Sequence, residues 1–451
     1  MNQLILSELR APIRNNSFVL LVFFFFILNN AEAQEVYDLS RCIQTGLERN
    51  FALQVVRNQE QTAINNFTQG NAGMLPTITA TNRFGGSLNT TSKNLSDGSE
   101  NISKGIHNTF GSAVIDLGMT IFKGFQVHHS YEKLGIITEM GGLNTQMSVE
   151  NLVAQLVSEY NYYIQQLTLY DNLAYAVSLS RERVRIDEQR YLLGGASKLE
   201  LLQSIVYLNA DSSRYARQNE VLRSSQIRLN KLMASDDPGE NILLKDSLIQ
   251  INEDLLYDEL MVLTLASNTS LQIASKSQVV SELDYKIIKS RVYPYLTMSS
   301  GYAYSYNGYE TGEIRNQNVH GMNYGLTLGM NIFDGFNRKR EMSNARIEIE
   351  NWNIQYKEVE QEVKADLLNI YYAYENNLRL LRLEEQNLEV ARENLEIALE
   401  RYKLGNLAGL ELREVQKSLL DAEERLISVK FQTKLAEISL LQISGRIMDY
   451  L

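Results

Sequence analysis

The chain has 451 residues, a net charge of −11, one cysteine and four histidines. A lone thiol cannot form an internal disulfide, and an acidic surface repels phosphate backbones, so a disulfide-stapled scaffold is excluded and nucleic acid is a poor partner. Only His128 and His129 are adjacent. Neighbouring side chains on a helix diverge, so a solvent-facing pair is expected there and not a zinc site.

At the N-terminus, Arg10 and Arg14 precede an apolar run from Phe18 to Leu28, and Ala31-Glu32-Ala33 places small residues where a signal peptidase reads. Residues 1–33 are read as a secretory leader, with a mature start near Gln34. The apolar run is too short to span a bilayer. Gln34 in place of a cysteine argues against an N-terminal lipid anchor. No later run is long enough for a transmembrane helix, so entry into a membrane would require a β-barrel.

The rest of the chain says one thing twice. Arg190-Tyr191-Leu192-Leu193-Gly194 is echoed from 401 to 405, Leu199-Glu200-Leu201 from 410 to 412, and Ile121-Phe122-Lys123-Gly124-Phe125 from 332 to 336, all displaced by 211 residues. Such a register marks one structural unit duplicated. In the first repeat, 34–234, a helix is predicted over 39–72, a β-hairpin over about 77–122 after Pro76, a long helix over 126–193 with Gly141-Gly142 as a candidate bend, and a helix over 197–234. Residues 235–256, which hold Pro238, are a linker. The second repeat, 257–451, follows the same order: a helix over 257–293, a hairpin over about 295–333 after Pro294, a long helix over 338–404 and a helix over 408–447. Each long helix would extend about 100 Å at roughly 1.5 Å per residue.

The last helix carries a heptad, with Val415, Ala422, Val429, Ala436 and Ile443 in one row and Leu419, Leu426, Thr433 and Leu440 in the other. Coiled-coil packing is expected from it. The hairpins alternate instead. Met322, Tyr324, Leu326, Leu328, Met330 and Ile332 interleave with Asn323, Gly325, Thr327, Gly329 and Asn331; Gly111, Ala113, Ile115, Leu117, Met119 and Ile121 interleave with a small polar set that includes Asp116. Tyr302, Tyr304, Tyr306 and Tyr324 lie on the apolar sets, as an aromatic girdle requires. Polar loops are expected over 89–105 and 307–321, facing outside the cell. Four strands are too few to close a barrel, and open edges are intolerable in lipid, so the hairpins must pair with those of other copies.

The leader, the duplication, the proline-strand junctions, the two Phe-x-Gly-Phe strand exits and the Arg-Tyr-x-Leu-Gly turns together resemble the TolC-type outer-membrane efflux proteins over essentially the whole mature chain. That resemblance implies a mainly α fold with a membrane β part. It implies a homotrimeric channel whose 12-stranded β-barrel, four strands per chain, continues into a 12-helix α-barrel. It further implies a passive exit duct, neither an enzyme nor a cofactor protein, in the cell outer membrane with its helical part in the periplasm. Such a duct serves tripartite efflux or type I secretion. It docks to a periplasmic adaptor (a membrane fusion protein) and, through it, to an inner-membrane RND or ABC pump.

By the same resemblance the glycine turns are periplasmic tips, and Gly194, Ser197, Leu199, Gly405, Gly409 and Leu410 form the docking surface. Two acidic positions past the second turn line the aperture, here Glu411 and Glu414 where the family has aspartates, with the cation Arg413 between them. Asp116 is expected to line the barrel lumen. Two other readings compete. A trimeric adhesin also uses four strands per chain, but places them once and at the C-terminus. A coiled-coil scaffold explains the heptads but neither the strands nor the leader.

Overall fold

The computed structural model describes residues 36–450; the leader expected over 1–33 lies outside them. A two-residue strand β1 (Val36–Tyr37) leads into α1 (Leu39–Arg49) and α2 (Phe51–Asn66). The first hairpin follows as β2 (Thr77–Asn94) and β3 (Glu100–Lys123), then α3 (Gln126–Leu192) and α4 (Lys198–Met233). A second short strand β4 (Leu243–Leu244) precedes α5 (Tyr257–Ser267) and α6 (Thr269–Ser290). The second hairpin is β5 (Tyr295–Gly308) and β6 (Asn316–Gly329), followed by α7 (Asn337–Lys403), α8 (Gly409–Ile443) and a 3₁₀ turn, Ile447–Tyr450. The long helices α3 and α7 have 67 residues each.

The single helices expected over 39–72 and 257–293 are each two helices, and the breaks are themselves duplicated. Asn50 and Asn268 end one helix and cap the next, accepting from Leu53 N and Leu271 N at 3.1 Å. Their amide Nδ2 groups donate at 3.0 Å to Leu232 O and Ile443 O, the ends of α4 and α8. An asparagine side chain can serve as N-cap and tertiary tie at once, because it carries both an acceptor and two donors. The helix α3 runs unbroken through Gly141 and Gly142.

The two hairpins form one antiparallel sheet in the order β2-β3-β5-β6. Its strands reach further than expected: β2 continues to Asn94 and β3 begins at Glu100, so most of the loop expected over 89–105 is paired strand, and the second loop shrinks to 309–315. β6 stops at Gly329, short of Phe333. The β3–β5 pairing ends at Thr109 opposite Gly308. The first hairpin therefore runs on alone past the second, as a Ser/Thr/Asn-rich ribbon over 86–108. Register places Ile78, Leu117, Ser300 and Tyr324 in one cross-strand row and Ala80, Ile115, Tyr302 and Met322 in the next. The alternation read from sequence therefore gives a continuous apolar face, with Ile78, Phe84, Tyr324 and Leu328 all exposed in the single chain.

Helix packing follows the repeat. The half of α3 nearer the sheet meets α2 and α6 and its distal half meets α4 and α8, while α7 packs on α6 and α8. The row thus has two open sides, α7 at one and α2 with α4 at the other. Leu367, Tyr374, Leu381, Leu388, Leu395 and Tyr402 form a buried heptad on α7. A second seven-residue stripe, Leu383, Val390 and Ile397 on α7 and Leu404 just past its end, is exposed. The α8 heptad positions are buried or half-buried throughout.

The main core lies at mid-length, where the two repeats meet. Residues 235–256, between the repeats, pack into this core: β4 pairs in parallel with β1, and Ile242, Ile249 and Leu255 are buried with Ile43, Leu156, Val157 and Tyr160. Tyr160 donates to Asp246 at 2.7 Å, and Asn252 N donates to Glu437 at 3.0 Å. Cys42 is fully buried here, and burial pushes its thiol up to about 12, which makes it inert.

The chain leaves α4 through Ala234 in the left-handed region (φ 52) and leaves α8 through Gly445 (φ 73), the equivalent position. A Cβ in that region costs about 1–2 kcal/mol. Ala234→Gly is therefore expected to raise stability by about 1 kcal/mol, read as a higher midpoint in thermal unfolding. An unchanged or lowered midpoint would contradict it.

Candidate functional site

The tips are built by one device used twice. At the end of α3, Gly194 N donates to Tyr191 O at 3.0 Å and Gly195 N to Arg190 O at 2.7 Å; at the end of α7, Gly405 N donates to Tyr402 O at 3.0 Å and Asn406 N to Arg401 O at 2.8 Å. These paired bonds are Schellman closures, which need a left-handed residue, and Gly194 (φ 78) and Gly405 (φ 76) supply it. The two restarts differ. Ser197 caps α4 in a capping box, accepting from Glu200 N at 3.3 Å while Ser197 N donates to Glu200 at 2.7 Å. Its counterpart Ala408 caps α8 with no side-chain bond. Ser197→Ala is expected to cost about 1 kcal/mol and Ala408→Ser to gain a similar amount. Hydrogen exchange of the first turns of α4 and α8 would measure both, and equal protection before and after would count against this account.

The structure gathers Leu199, Gly405, Gly409, Leu410 and Glu411 around one cavity of about 900 Å³ between the two turns. Gly194, Ser197 and Glu414 are not in its lining. Leu193, Leu199, Leu404 and Leu410 are exposed, at 65–87% of their full accessibility, an apolar concentration that an isolated helix turn does not require. Glu411 and Glu414 are both exposed.

Arg413 does not neutralise those glutamates. It turns inward and makes a two-pronged ion pair with Asp211 at 2.7 and 2.8 Å. Asp211 is 1% exposed and also accepts from Ser180 Oγ. Deeper under the second turn, Tyr402 donates to Asp187, and Arg183 lies 3.7 Å from the same carboxylate. Burial, then the Asp187 carboxylate, push the Tyr402 phenol up to about 12. The Tyr207 ring is shared, with the Arg413 guanidinium 4.9 Å and the Arg183 guanidinium 5.1 Å from its centroid. None of Arg183, Asp187, Tyr207 and Asp211 was singled out from sequence. The internal repeat held a signal: 394, 398, 418 and 422 are Asn, Ala, Ser and Ala, so this polar cluster breaks the duplication.

Asp116 sits on the polar face of β3, paired with Thr79 on one side and Gly301 on the other. A Cβ at Gly301 would lie 2.6 Å from Asp116 Oδ1 and 2.8 Å from Asn323 Oδ1, so both side chains lean over that glycine. His129 is half-buried and 3.5 Å from Glu132, while His128 is exposed. Among the described residues no group of three or more His, Cys, Asp and Glu could hold a metal ion, and no helix is long and apolar enough to cross a membrane.

These features define a class: a subunit with a four-stranded, apolar-faced sheet at one end and paired glycine-turn helical hairpins at the other. Residues 260–446 match the family described as outer membrane efflux protein. No curated protein sequence matches the chain significantly. Among solved structures, it is similar to a membrane protein from Pseudomonas aeruginosa (16% identity, TM-score 0.74, covering 90% of this chain and 93% of that one). It is similar also to the outer membrane protein VceC from Vibrio cholerae (14%, 0.72, 90% and 96%). The Campylobacter jejuni CmeC outer membrane channel matches at 13% identity and TM-score 0.76, covering 90% and 85%. Over nine-tenths of its length the chain has the fold of these outer-membrane channels, and by sequence its second repeat matches the outer membrane efflux protein family.

Proposed function

We propose that three copies of this chain form a passive exit duct of the outer membrane, the last segment of a tripartite efflux or type I secretion system. The observation that carries the reading is the sheet. β2 and β6 are unpaired edges flanking an apolar face, and in hydrocarbon each unsatisfied N–H or C=O costs several kcal/mol. β2 and β6 run antiparallel to each other, so β6 of one copy can join β2 of the next and close a 12-stranded barrel. The exposed stripe on α7 meets the same need below, lying against the open α2/α4 side of the neighbour to close a helical tube. The polar face with Asp116 then lines the lumen. The tips reach a periplasmic adaptor and, through it, an inner-membrane RND or ABC pump that supplies the energy.

Glu411 and Glu414 would bring six carboxylates together at the aperture. A ring of like charge attracts cations and resists closure. Because Arg413 is committed to Asp211, that charge is not cancelled from within the chain. Reconstituted in planar bilayers, the Glu411→Ala, Glu414→Ala channel is expected to lose most of its block by millimolar divalent cations. Identical block in both channels would remove the gate assignment. The duct itself is tested by the parent protein: failure to form discrete conducting events in a bilayer would sink it.

A further inference from the structure

The cavity between the tips has a feature that a plain docking cleft does not need. Arg183 is 5% exposed and lines it, yet its Nε and Nη1 have no hydrogen-bond partner. Asp187 stands 3.7 Å from Nε, beyond hydrogen-bond reach, and takes its hydrogen bond from Tyr402. Gly409 leaves the guanidinium its room, since a Cβ there would lie 2.8 Å from Nη2. Two more cations share the cavity without an ion pair among the described residues: Arg190, whose guanidinium rests 5.5 Å from the Tyr402 ring centroid, and Arg401, which donates to Asn406 O at 3.3 Å. The acidic groups facing them are otherwise engaged or at the rim. Glu200 is held by Ser197 N, Asp187 divides itself between the Tyr402 hydrogen bond and a loose 3.7 Å ion pair with Arg183, and Glu411 is exposed.

A buried guanidinium with unmade hydrogen bonds is costly, and the group that suits its planar fork is a carboxylate. We propose that this cavity is a socket for one side-chain carboxylate of the adaptor. An Asp or Glu at the adaptor's docking end inserts between the two turns and accepts from Arg183, while its apolar neighbours cover Leu199 and Leu410. The proposal rests on the reading that the tips dock an adaptor, and adds the chemistry of the residue they select. The duplication makes it one-sided, because Asn394 occupies the position equivalent to Arg183. Each protomer therefore offers one socket.

The test uses the detergent-solubilised trimer and two synthetic helical-hairpin peptides that differ only at the turn, Leu-Glu-Leu against Leu-Gln-Leu. The Glu peptide is expected to bind about tenfold or more tightly than its Gln twin. That gap should close in Arg183→Met, and also in Gly409→Val, which keeps every charge but displaces the guanidinium and so serves if Arg183→Met fails to fold. Leu199→Ser with Leu410→Ser should weaken both peptides alike. Equal affinity of the two peptides, or a gap that survives Arg183→Met, overturns the socket while leaving tip docking standing. Absence of binding by either peptide overturns both.

Discussion

Asp211→Ala is expected to destabilise the tip half of the molecule by about 3–5 kcal/mol, far more than most single changes. The reason is what it leaves behind. Asp211 is 1% exposed and, among the described residues, is the only carboxylate hydrogen-bonded to Arg413, whose side chain is also largely buried. Removing it strands a positive charge under Tyr207, and the loss of the partner for Ser180 adds to the cost. The duplication also indicates the remedy. The positions equivalent to Asp211 and Arg413 in the other repeat are Ala422 and Leu202, an uncharged pair of residue types. Asp211→Ala combined with Arg413→Leu should recover most of the loss. Hydrogen exchange across α4 and α8 would read both variants. A single mutant as well protected as the parent, or a double mutant worse than the single, would show that the ion pair is not what joins the hairpins.

The second large effect lies at the other end. Replacing Tyr324 and Gly325 together by proline removes two successive donors from edge strand β6, one facing β5 and one facing outward, and proline is tolerated in sheets only where no ladder bond is needed. With each orphaned group in lipid costing several kcal/mol, the variant is expected to yield no trimer at all. Light scattering of the detergent-extracted protein would decide it. A trimer of normal mass would mean that barrel closure does not run through β6.

Much of the fold was legible because it rests on periodicity. The 211-residue echo, the alternation along β3 and β6 and the heptad of α8 all report backbone geometry directly, and the sheet and long helices follow from them. The extent of the first hairpin was not legible. Residues 89–94 and 100–105 are mostly Ser, Thr, Asn and Lys, with Glu100, Ile102 and Gly105 besides, a composition that reads as loop, yet cross-strand pairing carries them as strand. The helix breaks at Asn50 and Asn268 were missed because an asparagine within a helical pattern looks neutral until its cap and its tertiary acceptor are seen together. The site divided in the same way. Turn glycines announce themselves by spacing, whereas Arg183 with Asp187 and Tyr207 with Asp211 are two ordinary-looking i,i+4 pairs on separate helices that meet only in three dimensions. The orientation of Arg413 was beyond reach for the same reason, since its partner lies 202 positions away.

The unequal hairpins have a consequence at the cell surface. Beyond Thr109 and Gly308 the first hairpin is met by Glu310, which bonds His107 N and the Asn108 side chain, and then continues with no paired strand beside it, rising about 25 Å further at roughly 3.3 Å per residue. In the proposed trimer this would give a crown of three slender spikes around the mouth, uncharged over most of their length and rich in hydroxyl and amide groups. Antibodies and other large particles arriving from outside would meet these spikes before they met the rim, so the crown can change its sequence under outside pressure without disturbing the conduit beneath it.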